Sequence, residues 1–226
     1  MGLGRINEIK KYYSELIDTV DKVEDNYFRI ILYYSLIDSF AQEYSNFNKN
    51  TSESFRKFIS DFNTDYYFLN SIDPIYMYYD NFSVFEKNGF DINNYLSPYS
   101  FYTISEINNM IPVNEMKNIL LQNGMAGEKI LRYGYLSMLY KMRSKLVHEL
   151  SNPAGFGKMD VKSNEPKCVF ITVIGIAEYW KWVIPASFIR ELLIHTMNNY
   201  LEYCLKKDRD PFENNIQSQR ELLSKW

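Results

Sequence analysis

The chain contains two histidines, and only one of them stands beside groups that could work with it. His148 closes the run Arg143-Ser144-Lys145-Leu146-Val147-His148, with Arg143 five residues earlier and Ser144 one helical turn earlier. An imidazole titrates near neutrality, so it can take the proton of a ribose 2′-hydroxyl or protonate a leaving 5′-oxygen. A guanidinium can hold the phosphate and offset charge as it builds, and a serine hydroxyl can bond a phosphate oxygen or orient the ring. Together these side chains suit phosphodiester cleavage without a metal. We therefore read Arg143, Ser144 and His148 as catalytic, and the neighbouring Tyr140, Lys141 and Lys145 as substrate-binding.

Charge distribution supports a polyanionic substrate such as RNA at this place. Residues 14–110 hold 15 acidic and 6 basic side chains, whereas residues 111–226 hold 12 acidic and 16 basic. Lys129, Arg132, Lys141, Arg143 and Lys145 lie within 129–148, a stretch with no acid at all. Electrostatic steering would bring a polyanion there first.

The element that must position the site is a helix predicted from about Glu128 to Leu150, opened by Gly127 and stopped by Ser151, Asn152 and Pro153. Leu131, Tyr135, Met138, Leu139, Met142 and Leu146 form its core stripe; Leu136, Tyr140 and Val147 form a second, narrower one. In an α-helix five residues turn Arg143 and His148 about 140° apart. One helix does not easily aim both at one phosphate, so a two-fold copy covering the second stripe would bring each Arg143 to the partner's Ser144 and His148. The spacing thus points to a homodimer.

Elsewhere, helical periodicity predicts antiparallel helices over Ile6–Val23 and Tyr27–Asn46, the second through Phe28, Ile31, Leu32, Ser35, Leu36, Ser39 and Phe40. A third helix, capped by Thr51 or Ser52, buries Phe55, Phe58, Ile59 and Phe62. From 63 to 112, prolines punctuate many Asn, Asp and Tyr residues, which reads as a loop-rich insertion with short helices. Val113–Asn123 is another helix, ended by Gly124. Cys168–Val173 and Glu178–Ile184 read as a two-stranded β-hairpin around Gly175, before a last helix that carries Ile189, Leu192, Leu193, Thr196, Met197, Tyr200, Leu201 and Cys204.

A composition of 46% hydrophobic and 23% charged residues provides for a real core. Many of the 20 tyrosines are expected at half-exposed edges, where the phenol finds a partner. Two distant cysteines, Cys168 and Cys204, fit neither a disulfide framework nor a zinc site, and no cofactor or metal is expected. No apolar run is long enough to span a bilayer, so no membrane association and a cytoplasmic location are expected.

Arg143-Ser144-Lys145-Leu146-Val147-His148-Glu149 resembles the signature of the HEPN superfamily, an Arg followed by four to six residues and a His. Tyr34-Ser35-Leu36-Ile37-Asp38-Ser39-Phe40-Ala41 is similar to the second helix of many HEPN proteins. The order of elements, with the motif near the end of a late helix followed by a hairpin and a closing helix, is also similar. The resemblance implies a mainly α, HEPN-like helical bundle with a small β-hairpin before the last helix. It would span residues 1–206, with 63–112 as an insertion and 207–226 as a polar tail. It also implies dimerisation through the motif helices, metal-independent cleavage of single-stranded RNA to a 2′,3′-cyclic phosphate, and a toxin or antiviral-defence setting with an antitoxin or defence-system partner. Arg143 would bind phosphate and His148 would do the acid-base work. Ser144 departs from the usual Asn, Asp or His. Leu150 stands where the subset partnered by a nucleotidyltransferase antitoxin has Tyr, which disfavours that partnership.

Two other readings stay open: a noncatalytic HEPN RNA-binding or sensing module, and a helical interaction protein. Asp38, amid apolar neighbours, is read as pairing with Arg143 or a backbone donor near the site, or else as a structural ion pair or an exposed residue. His195, with Glu191 and Asn199 one turn to either side, reads as a solvated helix face. Gly155-Phe156-Gly157 reads as a turn. The Tyr and Phe cluster between Tyr66 and Tyr102 reads as packing over the core.

Overall fold

The computed structural model describes residues 3–46, 50–149, 164–173 and 177–213. They form a mainly helical structure with a small antiparallel sheet. The chain divides into two compact units, one of residues 1–65 and 189–226 and the other of residues 66–188.

In the first unit, apolar residues three and four apart make α1 (Leu3–Asp21), which buries Ile6, Ile9, Tyr13, Ile17 and Val20. Helix α2 (Asn26–Tyr44) starts at Asp25, whose carboxylate accepts from the backbone N–H groups of Tyr27 and Phe28. Its buried face is Ile30, Tyr33, Tyr34, Ile37, Phe40 and Ala41. Most of the stripe expected from the sequence faces the other way: Phe28, Leu32, Ser35 and Ser39 are exposed, Ile31 and Leu36 are half-buried, and only Phe40 is covered. Both faces have helical spacing, and the large rings of Tyr33 and Tyr34 decide which one turns inward, because serines offer little apolar area.

Helix α3 (Thr51–Phe62) is capped by Asn50, which accepts from the Glu53 N–H, rather than by Thr51 or Ser52. The amide side chain reaches the third residue of the helix, which leaves Thr51 and Ser52 already inside the first turn. Phe55, Phe58, Ile59 and Phe62 are buried as expected.

From Ile189 onward, α10 (Ala186–Lys206) belongs to this unit, and its expected stripe is buried throughout. The Tyr200 ring lies 5.2 Å from that of Phe62, 5.6 Å from Phe58 and 6.0 Å from Phe40. The Tyr200 hydroxyl donates to the Pro211 carbonyl, and Phe212 stacks on Tyr13. The start of the polar tail is therefore packed through residue 213; residues 214–226 lie outside the described part.

The second unit is built from short elements. Helices α4 (Pro74–Asp80), α5 (Phe82–Lys87), α6 (Ile104–Met110), α7 (Val113–Gln122), α8 (Gly127–Ile130) and α9 (Tyr135–Ser144) accompany the strands β1 (Tyr102–Thr103), β2 (Lys167–Val173) and β3 (Ala177–Val183). Gly124, at φ +87°, ends α7 in the left-handed conformation that glycine adopts without a Cβ clash.

Strands β2 and β3 pair from Lys167↔Val183 to Val173↔Ala177, as the hairpin reading required, although Gly175 itself lies outside the described residues. The sheet nevertheless has three strands. Tyr102 and Thr103, from within the predicted insertion, pair with Cys168 and Lys167. A strand of two residues carries no alternation that a sequence pattern could reveal.

Twelve of the 20 tyrosines are half-buried or exposed, in line with expectation, but others lie in the core. Tyr33, Tyr34, Tyr133, Tyr135 and Tyr200 are fully buried. Three of these buried rings still carry their phenols out to partly exposed partners: Tyr33 donates to Asp21, Tyr133 to Asp80 and Tyr135 to Asn108.

Candidate functional site

The helix expected over Glu128–Leu150 is interrupted. After α8, residues 131–133 form a 3₁₀ turn, Gly134 is extended, and α9 begins at Tyr135. Residues 133–135 turn outward to pair with another segment: the Asp73 N–H donates to the Tyr133 carbonyl, the Tyr135 N–H donates to the Ser71 carbonyl, and Ile72 bridges Gly134. A backbone bonded this way cannot also continue a helix. Leu131 therefore leaves the predicted core stripe and is 70% exposed, whereas Tyr135, Met138, Leu139, Met142 and Leu146 remain buried.

Asp73 secures this junction from inside. Its carboxylate is fully buried; Oδ1 accepts from the N–H groups of Ile75 and Tyr76, and Oδ2 accepts from the Trp182 indole at 3.0 Å. The Asp73 side chain thus caps α4 and ties it to β3, while the Asp73 N–H holds the backbone that launches α9. Burial pushes the Asp73 carboxyl up to about 7, against the lowering effect of its three hydrogen bonds. The same burial, with Asp73 nearby, pushes the Cys168 thiol well up, which makes it an inert packing residue.

Along α9 the predicted site residues fall on two faces. Tyr140, Arg143 and Ser144 are half-buried, with the Arg143 guanidinium 5.8 Å from the centre of the Tyr140 ring. Lys141 and Lys145 are exposed one turn apart. The Lys141 ammonium lies 4.1 Å from the centre of the Tyr76 ring and hydrogen-bonds its hydroxyl. Leu136 is buried and Val147 half-buried, so the second stripe is covered more at its start than at its end.

From Lys145 to Glu149 the α-helix gives way to a π turn. Its hydrogen bonds repeat every five residues, so positions 143 and 148 come nearer to alignment than the about 140° of a regular α-helix. The obstacle to aiming both positions at a single anion from one helix is thereby smaller than regular α-helical spacing makes it. The imidazole of His148 lies outside the described part, as do Leu150, the Ser151-Asn152-Pro153 stop and Gly155-Phe156-Gly157.

Compared with known proteins, the chain matches no family model, no curated protein and no solved structure.

Asp38 is half-buried on α2 in the first unit, where its charge adds to the burial that raises the Tyr34 phenol; Arg143 belongs to the second unit. His195 is not simply solvated: Nδ1 lies 3.2 Å from Asp65 Oδ2 and Nε2 lies 3.0 Å from Thr64 Oγ1. Its expected neighbours one turn away are engaged elsewhere, Glu191 by Arg190 and Asn199 by the Phe62 carbonyl. No group of three metal-ligating side chains, and no helix long and apolar enough to cross a membrane, occurs among the described residues.

Sequence reasoning missed Tyr76, Asp80 and Asp73. Asp80 pairs with Arg132 at 2.7 Å, so the basic stretch that lacks acids in sequence has one in space. The available signal was the Asp73-Pro74 start of a helix, which places Tyr76 and Asp80 one turn apart on it.

Proposed function

We propose that the chain is a HEPN-type, metal-independent endoribonuclease that cleaves single-stranded RNA by attack of the 2′-hydroxyl, acting in defence. The observation that carries this reading is the end of α9, where half-buried Arg143 and Ser144 run into a π turn that contains position 148. Single π turns inside α-helices occur frequently at functional sites, because they re-aim side chains at a cost in helix regularity. The exposed ammonium groups of Lys141 and Lys145 add a positive field along the same helix. In this reading Arg143 binds the scissile phosphate, Ser144 bonds one of its oxygens, and His148 moves the proton.

A second copy of the chain remains part of the proposal through half-buried Tyr140 and Val147, which a partner helix would cover. Mixing Arg143→Ala and His148→Ala chains in confirmed mixed dimers restores cleavage if the site is shared, and restores none if each chain is complete.

The deciding experiment is cleavage of a single-stranded RNA in EDTA by the wild type beside His148→Ala. Cleavage that persists in EDTA, yields a 2′,3′-cyclic phosphate and falls about 100-fold or more in the variant supports the enzyme. Equal RNA binding by both chains with no cleavage would replace it with the noncatalytic module. Absence of both would leave a helical interaction protein.

A further inference from the structure

The contacts of His195 form a closed ring of three side chains in the first unit. Besides the two contacts already given, Thr64 Oγ1 lies 3.3 Å from Asp65 Oδ1. The carboxylate of Asp65 can only accept, so with the proton on Nδ1 facing it, Nε2 is left as an acceptor to which the Thr64 hydroxyl can donate its one proton, the alternative acceptor being Asp65 Oδ1. When Nε2 is protonated, it donates to the Thr64 oxygen, and the hydroxyl can turn to Asp65 Oδ1. The ring is satisfied in both protonation states, as a group that shuttles a proton requires. A hydroxyl on a histidine that is in turn oriented by a carboxylate is the arrangement of activated-nucleophile catalysis, recognised by geometry and not by sequence position.

Local structure places Thr64 beside His195, with the Asp65 side chain 63% exposed next to them. Thr64 and Asp65 follow α3 directly, and the Asn63 N–H closes that helix on the Ile59 carbonyl. Asn199, one turn beyond His195 on α10, donates to the Phe62 carbonyl at 2.8 Å, so the end of α3 is tied to α10 beside the ring. Thr64 is exposed, whereas the His195 side chain keeps only 26% of its surface. A ligand therefore reaches the hydroxyl while the base stays sheltered behind it.

We propose that Thr64, His195 and Asp65 form a second site, a nucleophilic hydroxyl that accepts acyl groups from aryl esters or thioesters. Thr64 Oγ1 attacks the carbonyl carbon as its proton moves to His195 Nε2. The bond to the phenol or thiol breaks, the leaving group takes that proton, and the acyl group stays on Thr64 until water, deprotonated by the same imidazole, releases it as the acid. Donors with good leaving groups are favoured at such an open position, because a phenol or thiol departs readily whereas an amine must be protonated by a well-placed general acid before it can leave. Asp65 is a positioning residue that holds the ring in the productive tautomer.

The test treats the full chain with p-nitrophenyl acetate and follows both p-nitrophenol release and acetylation of the peptide carrying Thr64 by mass spectrometry. The wild type acquires an acetyl group on Thr64, Thr64→Ser acquires it at least as fast, and Thr64→Val acquires none. His195→Gln slows the modification about 100-fold. Asp65→Asn slows it about tenfold or more, and Asp65→Glu restores it, which a merely structural role would not produce. Absence of the acetyl group from Thr64, or an equal rate in a folded His195→Gln chain, overturns the proposal.

Discussion

One of the two histidines lies on α10 and the other in the π turn just beyond α9, and the two helices are built in opposite ways. Helix α10 runs without interruption for 21 residues and presents one continuous buried stripe. It is held at its flanks by polar contacts: the Arg190 guanidinium grips the Asp21 carboxylate, with Nε 2.9 and 2.8 Å from its two oxygens, and His195 and Asn199 hold the end of α3. Helix α9 has ten residues, starts at a backbone junction held by the Asp73 N–H, and ends in a π turn. Regularity in the first case leaves the backbone nothing to explain. The irregularity of the second is concentrated at the residues whose chemistry suits RNA cleavage, and departures from regular geometry persist only where surrounding structure enforces them.

The largest expected effect breaks the comparison at the chemistry. Arg143→Ala lowers RNA cleavage by two or more orders of magnitude through loss of charge stabilisation, about 3 kcal/mol or more. An unchanged kcat/KM would reduce the end of α9 to an ordinary basic surface. Deleting Lys145 tests the π turn itself. One residue fewer returns the segment to α-helical bonding and rotates position 148 by about 100°. Cleavage should fall as far as in His148→Ala while the thermal midpoint stays level or rises, and an active deletion variant would show the turn to be incidental.

Next in size is the anchor of α9. Asp73→Ala leaves two backbone donors and an indole donor unanswered in the interior, at a cost of about 3–5 kcal/mol in urea unfolding. Asp73→Asn keeps an acceptor for the two backbone groups, and it also removes a titration. The Asp73 carboxyl is pushed up to about 7 in the fold, against about 3.9 when unfolded. Between those values the folded chain holds a proton that the unfolded chain has lost. The stability due to this group is therefore complete below about pH 4 and is lost as pH rises through about 7, on the order of 4 kcal/mol at most. Relative to Asp73→Asn, the wild type should lose stability from pH 5 to pH 7.5; parallel curves would mean that Asp73 is already charged at pH 5.

The smallest effect belongs to α10. Arg190→Ala removes a bidentate pair whose side chains are each about a third exposed, so about 1 kcal/mol is expected, shrinking with added salt. A loss as large as that of Asp73→Ala would erase the distinction between an interior anchor and a surface one.

The helical class was legible because periodic apolar residues specify a buried face over many turns, as α1, α3 and α10 show. So were the β2–β3 pairing and the position of the Arg143 and Ser144 segment on a helix. On α2 the same logic chose the wrong face, since two stripes of similar spacing compete and only packing against the surrounding helices selects the one with the larger rings. The break at Gly134 was unreadable because its cause, residues 71–73, lies some sixty positions earlier in the chain.

What the sequence by itself determined are the local quantities: which stretches are helical, where cations gather, and which side chains could move a proton near neutrality. Only the tertiary structure decided that Asp73 is buried, that Arg132 meets Asp80, that Arg143 runs into a π turn, and that His195 lies between Thr64 and Asp65. Apart from the π turn, these are encounters between residues far apart along the chain, and a pattern of neighbours in one dimension carries no term for the contacts that folding creates in three.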